Sequence, residues 1–375
     1  MLKLAAAASA VAVAGATVYL VSSHEGASSP APAPATAQAT PVTISPVLRL
    51  GGGQLGLAHA PALGPTTAPR AIASRSVAEA DLGYLPADAD TVIGVNFASV
   101  RQSALWQRFV APQLTGAGAL REVEALCGFD PLTSLGSISI GLKGLGNDDD
   151  SSISGTIVIH GFDKAKAMSC FDKQGLAEAE RGGAKITIDK DVVLLTDAEQ
   201  SYHSAFTFID ATTALIVLGP AAATTEGVAR IAAGNGTLAT SSAFVATLQN
   251  INTDDSFWLM LGAQSPILKS IELEVPALAD VKLGTLYLSL NVTDALALDA
   301  GVHLGAPEKV ARVVAYLQDK MSEGLVKTML ASYFDQLDVF ADGSDLVISV
   351  TSSGDQIAQM LSTVMPSSGA VGAAR

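Results

Sequence analysis

Aromatic side chains are scarce in this chain, at 5% of 375 residues. Stacking platforms for bases or sugar rings are therefore not expected, and Val, Leu, Ile and Ala must build the core. Charge is sparse too, at 15%, and basic charge sparser still: 22 Lys and Arg stand against 36 Asp and Glu, a net charge of −14. A chain so charged repels phosphate backbones and anionic headgroups, so nucleic acid is excluded as an expected partner. Cysteine is limited to Cys127 and Cys170. Their separation rules out a Cys-x-x-Cys metal or redox motif. No Gly-x-Ser-x-Gly elbow, Ser-x-x-Lys pair, P-loop or dinucleotide fingerprint occurs, and the glycine-rich strings at 116–120 and 141–146 match none of these. No catalytic residue, cofactor or metal is implied.

What the chain does have is apolar length, at 49% hydrophobic residues, enough for one large domain or two smaller ones. Lys3 precedes an uncharged run from Leu4 to Val21. A basic start followed by an apolar run is an export signal. Two readings stay open: a signal peptide cleaved near Val21-Ser22-Ser23, or an uncleaved anchor just long enough to span a bilayer. Residues 24–80 are rich in Pro, Ala, Ser, Thr and Gly and read as an extended tether. A tether of that length suits a retained anchor. In an exported chain, Cys127 and Cys170 are expected to form a structural disulfide.

The folded part reads as an α+β domain in two tandem halves, 81–240 and 241–366, with a disordered tail over 367–375. The first half opens on a buried strand at 91–97 and a helical region broken at Pro112. Strands at 137–144 and 152–161 follow, then a helix with Asp163 as N-cap and Gly175 as stop. Four more strands and a helix close it. The second half repeats the order: a strand at 256–262, a helix from Pro266 and a strand pair about Thr293-Asp294. A helix with Pro307 in its first turn then carries the stripe Val310, Val313, Val314, Leu317 and Met321. A hairpin turns at Asp342-Gly343, and Ser353 and Gln356 have capping-box spacing. Each half thus reads β-α-β-β-α-β with extra strands, the ferredoxin-like order, as a mainly antiparallel sheet covered by helices.

Among chemistry-bearing residues, Asp148-Asp149-Asp150 could offer oxygens to a hard cation but lacks the spacing of a calcium loop, so it reads as an acidic hairpin tip. Asp189, Asp191, Asp342 and Asp345 also sit at predicted turns. Of His24, His59, His160, His203 and His303, two lie in the tether, and His160 and His303 end equivalent strands of the two halves. Neither has a cysteine or second histidine at ligand spacing. Trp106 and Trp258 read as core. Asn235 and Asn291 open glycosylation-type triplets.

The stretch from Tyr84 to Phe109, with its Leu-Pro-Ala-Asp-Ala-Asp opening, and the Cys127-Gly-Phe-Asp-Pro131 turn resemble a group of uncharacterised exported proteins of complex-genome Gram-negative bacteria. The specific motifs run to about Gly144. The resemblance implies an envelope location and an α+β repeat fold, and it carries no functional residue. The expected role is a non-catalytic envelope protein that binds or scaffolds an extracytoplasmic partner. The alternatives are an extracytoplasmic hydrolase and a carrier of an apolar ligand. A deep polar pocket would favour the hydrolase and a large dry cavity the carrier. A filled core with an exposed patch would favour the partner-binding module.

Overall fold

The computed structural model describes residues 77–111, 130–146, 153–169, 185–196, 203–234, 237–274, 281–292 and 295–357, with positions 124 and 128. The apolar run 4–21, Cys127, Cys170, the 148–150 loop and the 367–375 tail lie outside the described residues.

The fold is α+β. The strands of the first half are β1 (Thr91–Asn96), β2 (Ser137–Lys143), β3 (Ser154–His160), β4 (Lys185–Asp189), β5 (Val192–Thr196), β6 (His203–Phe208) and β7 (Thr213–Leu218). Those of the second are β8 (Phe257–Leu261), β9 (Leu286–Val292), β10 (Ala295–His303), β11 (Gln336–Asp342) and β12 (Asp345–Ser353). All 12 join in one sheet in the order β11-β12-β10-β9-β8-β1-β2-β3-β7-β6-β5-β4. Every neighbouring pair is antiparallel. A split βαβ unit would set two parallel strands side by side, and no such pair occurs among the described strands. The β-α-β-β order along the chain is kept, but consecutive strands β1-β2-β3 and β8-β9-β10 run as meanders. The order β1-β2-β3-β7-β6 on one side of the seam matches β8-β9-β10-β12-β11 on the other, a topology compatible with two related halves. The hairpin β4-β5 is the first half's addition.

At the seam, Gly94 of β1 lies opposite Trp258 of β8. The indole lies flat over the glycine: a Cβ on Gly94 would sit 2.0 Å from its Cε2 and Nε1. Trp258 is 2% exposed, so the ring fills the junction of the halves. Sheet periodicity sends alternate side chains to two faces, and each face is packed differently. On the front face, Val92, Val158, Leu215, Val217 and Met260 form one core beneath Leu82, Leu85, Val228, Leu238 and Leu248. These covering residues come from the segment after α1 (Val77–Asp81), from α4 (Thr225–Ala232), from a 3-10 turn (Leu238–Thr240) and from α5 (Ser242–Leu248). On the back face, α2 (Phe97–Gln102), α3 (Pro131–Ser134) and a helical stretch at 164–169 flank a core of Ile138, Ile140, Ile157, Ile159 and Phe206.

The back face of the second half is covered by α6 (Pro266–Glu274), α7 (Pro307–Ser322) and α8 (Gly324–Tyr333). Leu268, Val310 and Val313 pack there on Leu261, Val339 and Leu346. Helix α7 starts at Pro307, whose fixed φ suits a first turn, and carries Glu308 at its positive end and Lys320 at its negative end. Its stripe of Val310, Val313, Val314, Leu317 and Met321 meets the sheet as the helical spacing requires. The tether reading stops at residue 80, yet Val77–Asp81 is already helical. The reason is Asp81, which is fastened to the sheet as described below.

Candidate functional site

The two strand-end histidines organise the polar chemistry of the fold. His160 ends β3 and His303 ends β10, at matching places in the two sheet halves. The backbone around each is the same. The N–H of Gly136 donates to the His160 carbonyl at 2.8 Å, and that of Gly284 to the His303 carbonyl at 2.7 Å. Each glycine opens a like string, Leu135-Gly-Ser-Ile-Ser-Ile and Leu283-Gly-Thr-Leu-Tyr-Leu. That correspondence is compatible with two related halves, and hydrophobic patterning alone passes over it.

In the first half, Asp81 reaches down from α1 with only 2% of its side chain exposed. Its Oδ1 lies 2.9 Å from His160 Nε2, and its Oδ2 accepts from Ser139 Oγ at 2.6 Å. His160 Nδ1 faces Thr213 Oγ1 at 3.3 Å, so both ring nitrogens are engaged. The bond to Asp81 raises the His160 pKa above its ordinary value, against burial, which lowers it; the charge of Asp210 adds to the rise. The order Ser–Asp–His puts the carboxylate in the middle. A catalytic triad needs the imidazole between the hydroxyl and the carboxylate; that order excludes Ser139, and the one hydroxyl it fits, Thr213, is buried at 6% exposure. It is a clamp that holds the chain's entry segment against the sheet.

In the second half the matching carboxylate is Asp345, supplied by β12 itself. His303 Nδ1 lies 2.8 Å from Asp345 Oδ1, and Tyr287 Oη donates to Oδ2 at 3.0 Å. Tyr287 takes the place of Ser139, three residues after the glycine in both halves. Burial raises the Tyr287 pKa, and the Asp345 charge pushes it further, so the phenol stays protonated. The ring spreads over Gly301, where a Cβ would lie 2.1 Å from Tyr287 Cζ. This cluster faces solvent: half the His303 side chain is exposed.

It borders the front face of β10–β12, which no described element covers, whereas on β9 Ser289 is buried and Tyr287 packs against the front core. Along β10 and β11 the alternation is plain. Ala295, Ala297, Asp299 and His303 are exposed, as are Gln336, Asp338, Phe340 and Asp342, whereas Leu296, Leu298, Leu337 and Val339 point to the packed side. Strand register sorts this face into rows that cross the strands. One row is Asp338, Ser349 and Asp299; the next is Phe340, Val347 and Gly301 with the Tyr287 ring on it; the third is Asp342, Asp345 and His303. An aromatic and aliphatic lane thus runs between two acidic rows. The five strands β8–β12 contain no Lys or Arg. Ser349 Oγ donates to Asp299 Oδ1 at 2.6 Å, tying one row together. Phe340, 45% exposed, is among the large apolar side chains most open to water.

A cleft of about 250 Å³ lies where the halves meet, lined by Val95, Asn96, Ile138, Asp254 and Trp258 among others. It falls below the 300–1,000 Å³ typical of small-molecule sites. Next to it, the buried Asp255 accepts from Asn252 at 2.6 Å and from Asn291 at 3.3 Å. The bond to Asp255 occupies the amide of Asn291 that a glycan would need. Asp189 accepts from Thr225 and Asp191 pairs with Lys164, so both carboxylates act locally at the β4–β5 turn. His203 lies 3.5 Å from Thr196 on the neighbouring strand. Among the described residues, no group of three His, Cys, Asp or Glu converges to hold a metal. None of the described helices is long and apolar enough to cross a membrane.

No known protein family matches the chain, and no curated protein matches it. Solved structures do. Crystal form III of TP0453 aligns with a TM-score of 0.43 at 11% identity, over 75% of this chain and 97% of that one. Crystal form I of the same protein gives 0.42 at 11% identity, over 76% and 97%. Likeness at this level carries no functional argument.

Proposed function

We propose that this chain is a non-catalytic binding module of the cell envelope, exported by residues 4–21 and presenting the front face of β10–β12 to an extracytoplasmic partner. The observation that carries the reading is the asymmetry of the sheet. The front face of the first half lies under α1, α4 and α5, whereas no described element covers the front face of β10–β12 in the second. Three cores fill the interior on the packed faces. An exposed face over a filled core is the signature of a protein-binding surface rather than of a carrier.

The test has two arms. Residues 1–80 fused to a reporter active only outside the cytoplasm should switch it on; a silent reporter would defeat the export claim. A photo-crosslinking residue placed at Phe340 or Thr351 in producing cells should give discrete adducts. The same residue at Glu308, on the outer surface of α7, should give none. Equal labelling at all three positions would defeat the claim for the face.

A further inference from the structure

We infer that the partner of the open face is a cationic polypeptide segment, rich in Arg or Lys, that lies along the apolar lane with its charged heads over the flanking acidic rows. The inference rests on the reading of this face as the binding surface and adds the chemistry of what binds.

Three observations carry it. First, the face is not uniformly acidic. Register places Phe340 and Val347 in one row, with Asp338 and Asp342 one step to either side on the edge strand. Residues two apart on a strand stand roughly 6.6 Å apart, within the reach of one long side chain. An Arg or Lys stem laid on Phe340 therefore puts its head beside either carboxylate, and the ring face itself attracts a cation. A small inorganic cation would use the carboxylates and leave the lane idle. Second, none of the strands β8–β12 supplies a Lys or Arg to offset the carboxylates of this face. Asp342 stands directly opposite Asp345, and like charges so placed destabilise a strand pair. A cationic guest relieves this repulsion. A second copy of the chain meeting this face with its own would add to it. Third, the matching region of the first half has an occupant. There the chain's own segment from Val77 lies over the face, held by Asp81 to Ser139 and His160. In the second half that polar anchor is already filled from within, by Asp345, so the guest must be held by the outward rows instead.

The experiment uses the full-length protein and three labelled peptides of equal length: alternating Arg and Leu, alternating Glu and Leu, and alternating Ser and Leu. Binding is followed by fluorescence anisotropy at low and at physiological salt. The Arg/Leu peptide should bind at least about ten-fold more tightly than the Glu/Leu one, and added salt should weaken it. The triple variant D299N/D338N/D342N should lose about ten-fold and most of the salt dependence, because exposed carboxylates act chiefly through charge. Phe340→Ser should weaken binding about three-fold or more while keeping the salt dependence. All four side chains are exposed, so the substitutions leave the packed cores untouched, and a matching circular-dichroism spectrum and melting curve should confirm the fold. Equal binding of the Arg/Leu and Glu/Leu peptides, or an unchanged triple variant, would overturn the inference. If the Ser/Leu peptide binds as well as the Arg/Leu one and Phe340→Ser weakens both, the face still docks a partner and only its cationic nature is wrong. If no peptide responds to any of the four substitutions, the face is not the binding surface and both readings fall.

Discussion

The Asp81 clamp makes a prediction about pH that can be worked from its geometry. Asp81 is buried and accepts from Ser139 at 2.6 Å and from His160 at 2.9 and 3.1 Å. Removing one partner of a buried charged pair typically costs 3–5 kcal/mol, because the other is left buried and alone. Asp81→Ala should therefore destabilise the protein by about 3 kcal/mol, which for a chain this long lowers the melting temperature by roughly 6 °C. His160→Gln keeps a donor near Asp81 and loses only the charge, so about 1–2 kcal/mol is expected. The pH dependence has a definite sign. The folded-state pKa of His160 is raised above its ordinary 6.5, chiefly by the bond to Asp81. Its contribution to stability is therefore fully present below pH 6.5 and is lost as pH rises through the folded-state pKa. The groups acting on the ring are Asp81, Asp210 and Thr213, and of these only the two carboxylates carry charge. Urea unfolding across the neutral range, followed by fluorescence, should show the wild type losing stability with rising pH and the H160Q variant losing markedly less. The same downward slope in both proteins would refute the argument.

Other expectations follow from packing. Gly94→Ala drives a methyl into the Trp258 indole with no room to yield, so a loss of about 3 kcal/mol and a shift in Trp fluorescence should follow. Gly301→Ala meets at a similar distance the Tyr287 ring, which packs on the front core and donates to Asp345, so about 2 kcal/mol is expected from the same unfolding assay. Thr224→Ala removes the cap that accepts from the Gly227 N–H at 3.1 Å and should cost about 1 kcal/mol. Cys127 and Cys170 in the exported protein should resist alkylation until reduced, and reduction should lower stability by about 4 kcal/mol in the chain-entropy account; free thiols in the untreated protein would count against the bridge.

Much of the fold was legible in the sequence because its elements carry strong periodic signals. The strand at Thr91–Asn96, the helix opening at Pro307 and the turn at Asp342-Gly343 stand where patterning puts them. The Ser353 N–H does meet the Gln356 side chain, at 3.3 Å, as the capping-box spacing requires. Spatial order was not legible. Chain order β-α-β-β is shared by meanders and by split βαβ units, and only long-range pairing decides between them. The clamp was hidden for a similar reason: Asp81 and His160 are 79 residues apart and look like a tether end and a strand end. The open face was invisible because Asp338, Phe340 and Asp342 alternate with Leu337, Val339 and Ala341 as in any half-buried strand. Whether the outward set meets water or another layer depends on helices elsewhere in the chain.

The seam has a consequence for how the protein is made. Strand β1 is the first strand of the sheet to emerge, and one of its two edges pairs with β8, more than 150 residues later. The first half can assemble β1 to β7 alone, but until β8 arrives the Thr91–Val95 edge is an unpaired, largely apolar template of the kind that recruits other chains. Trp258 arrives on that same strand and seals Gly94. Completion of the sheet and burial of this edge are thus one event, and in a chain cut short before Phe257 the strand meant for the middle of the sheet would be left as its rim.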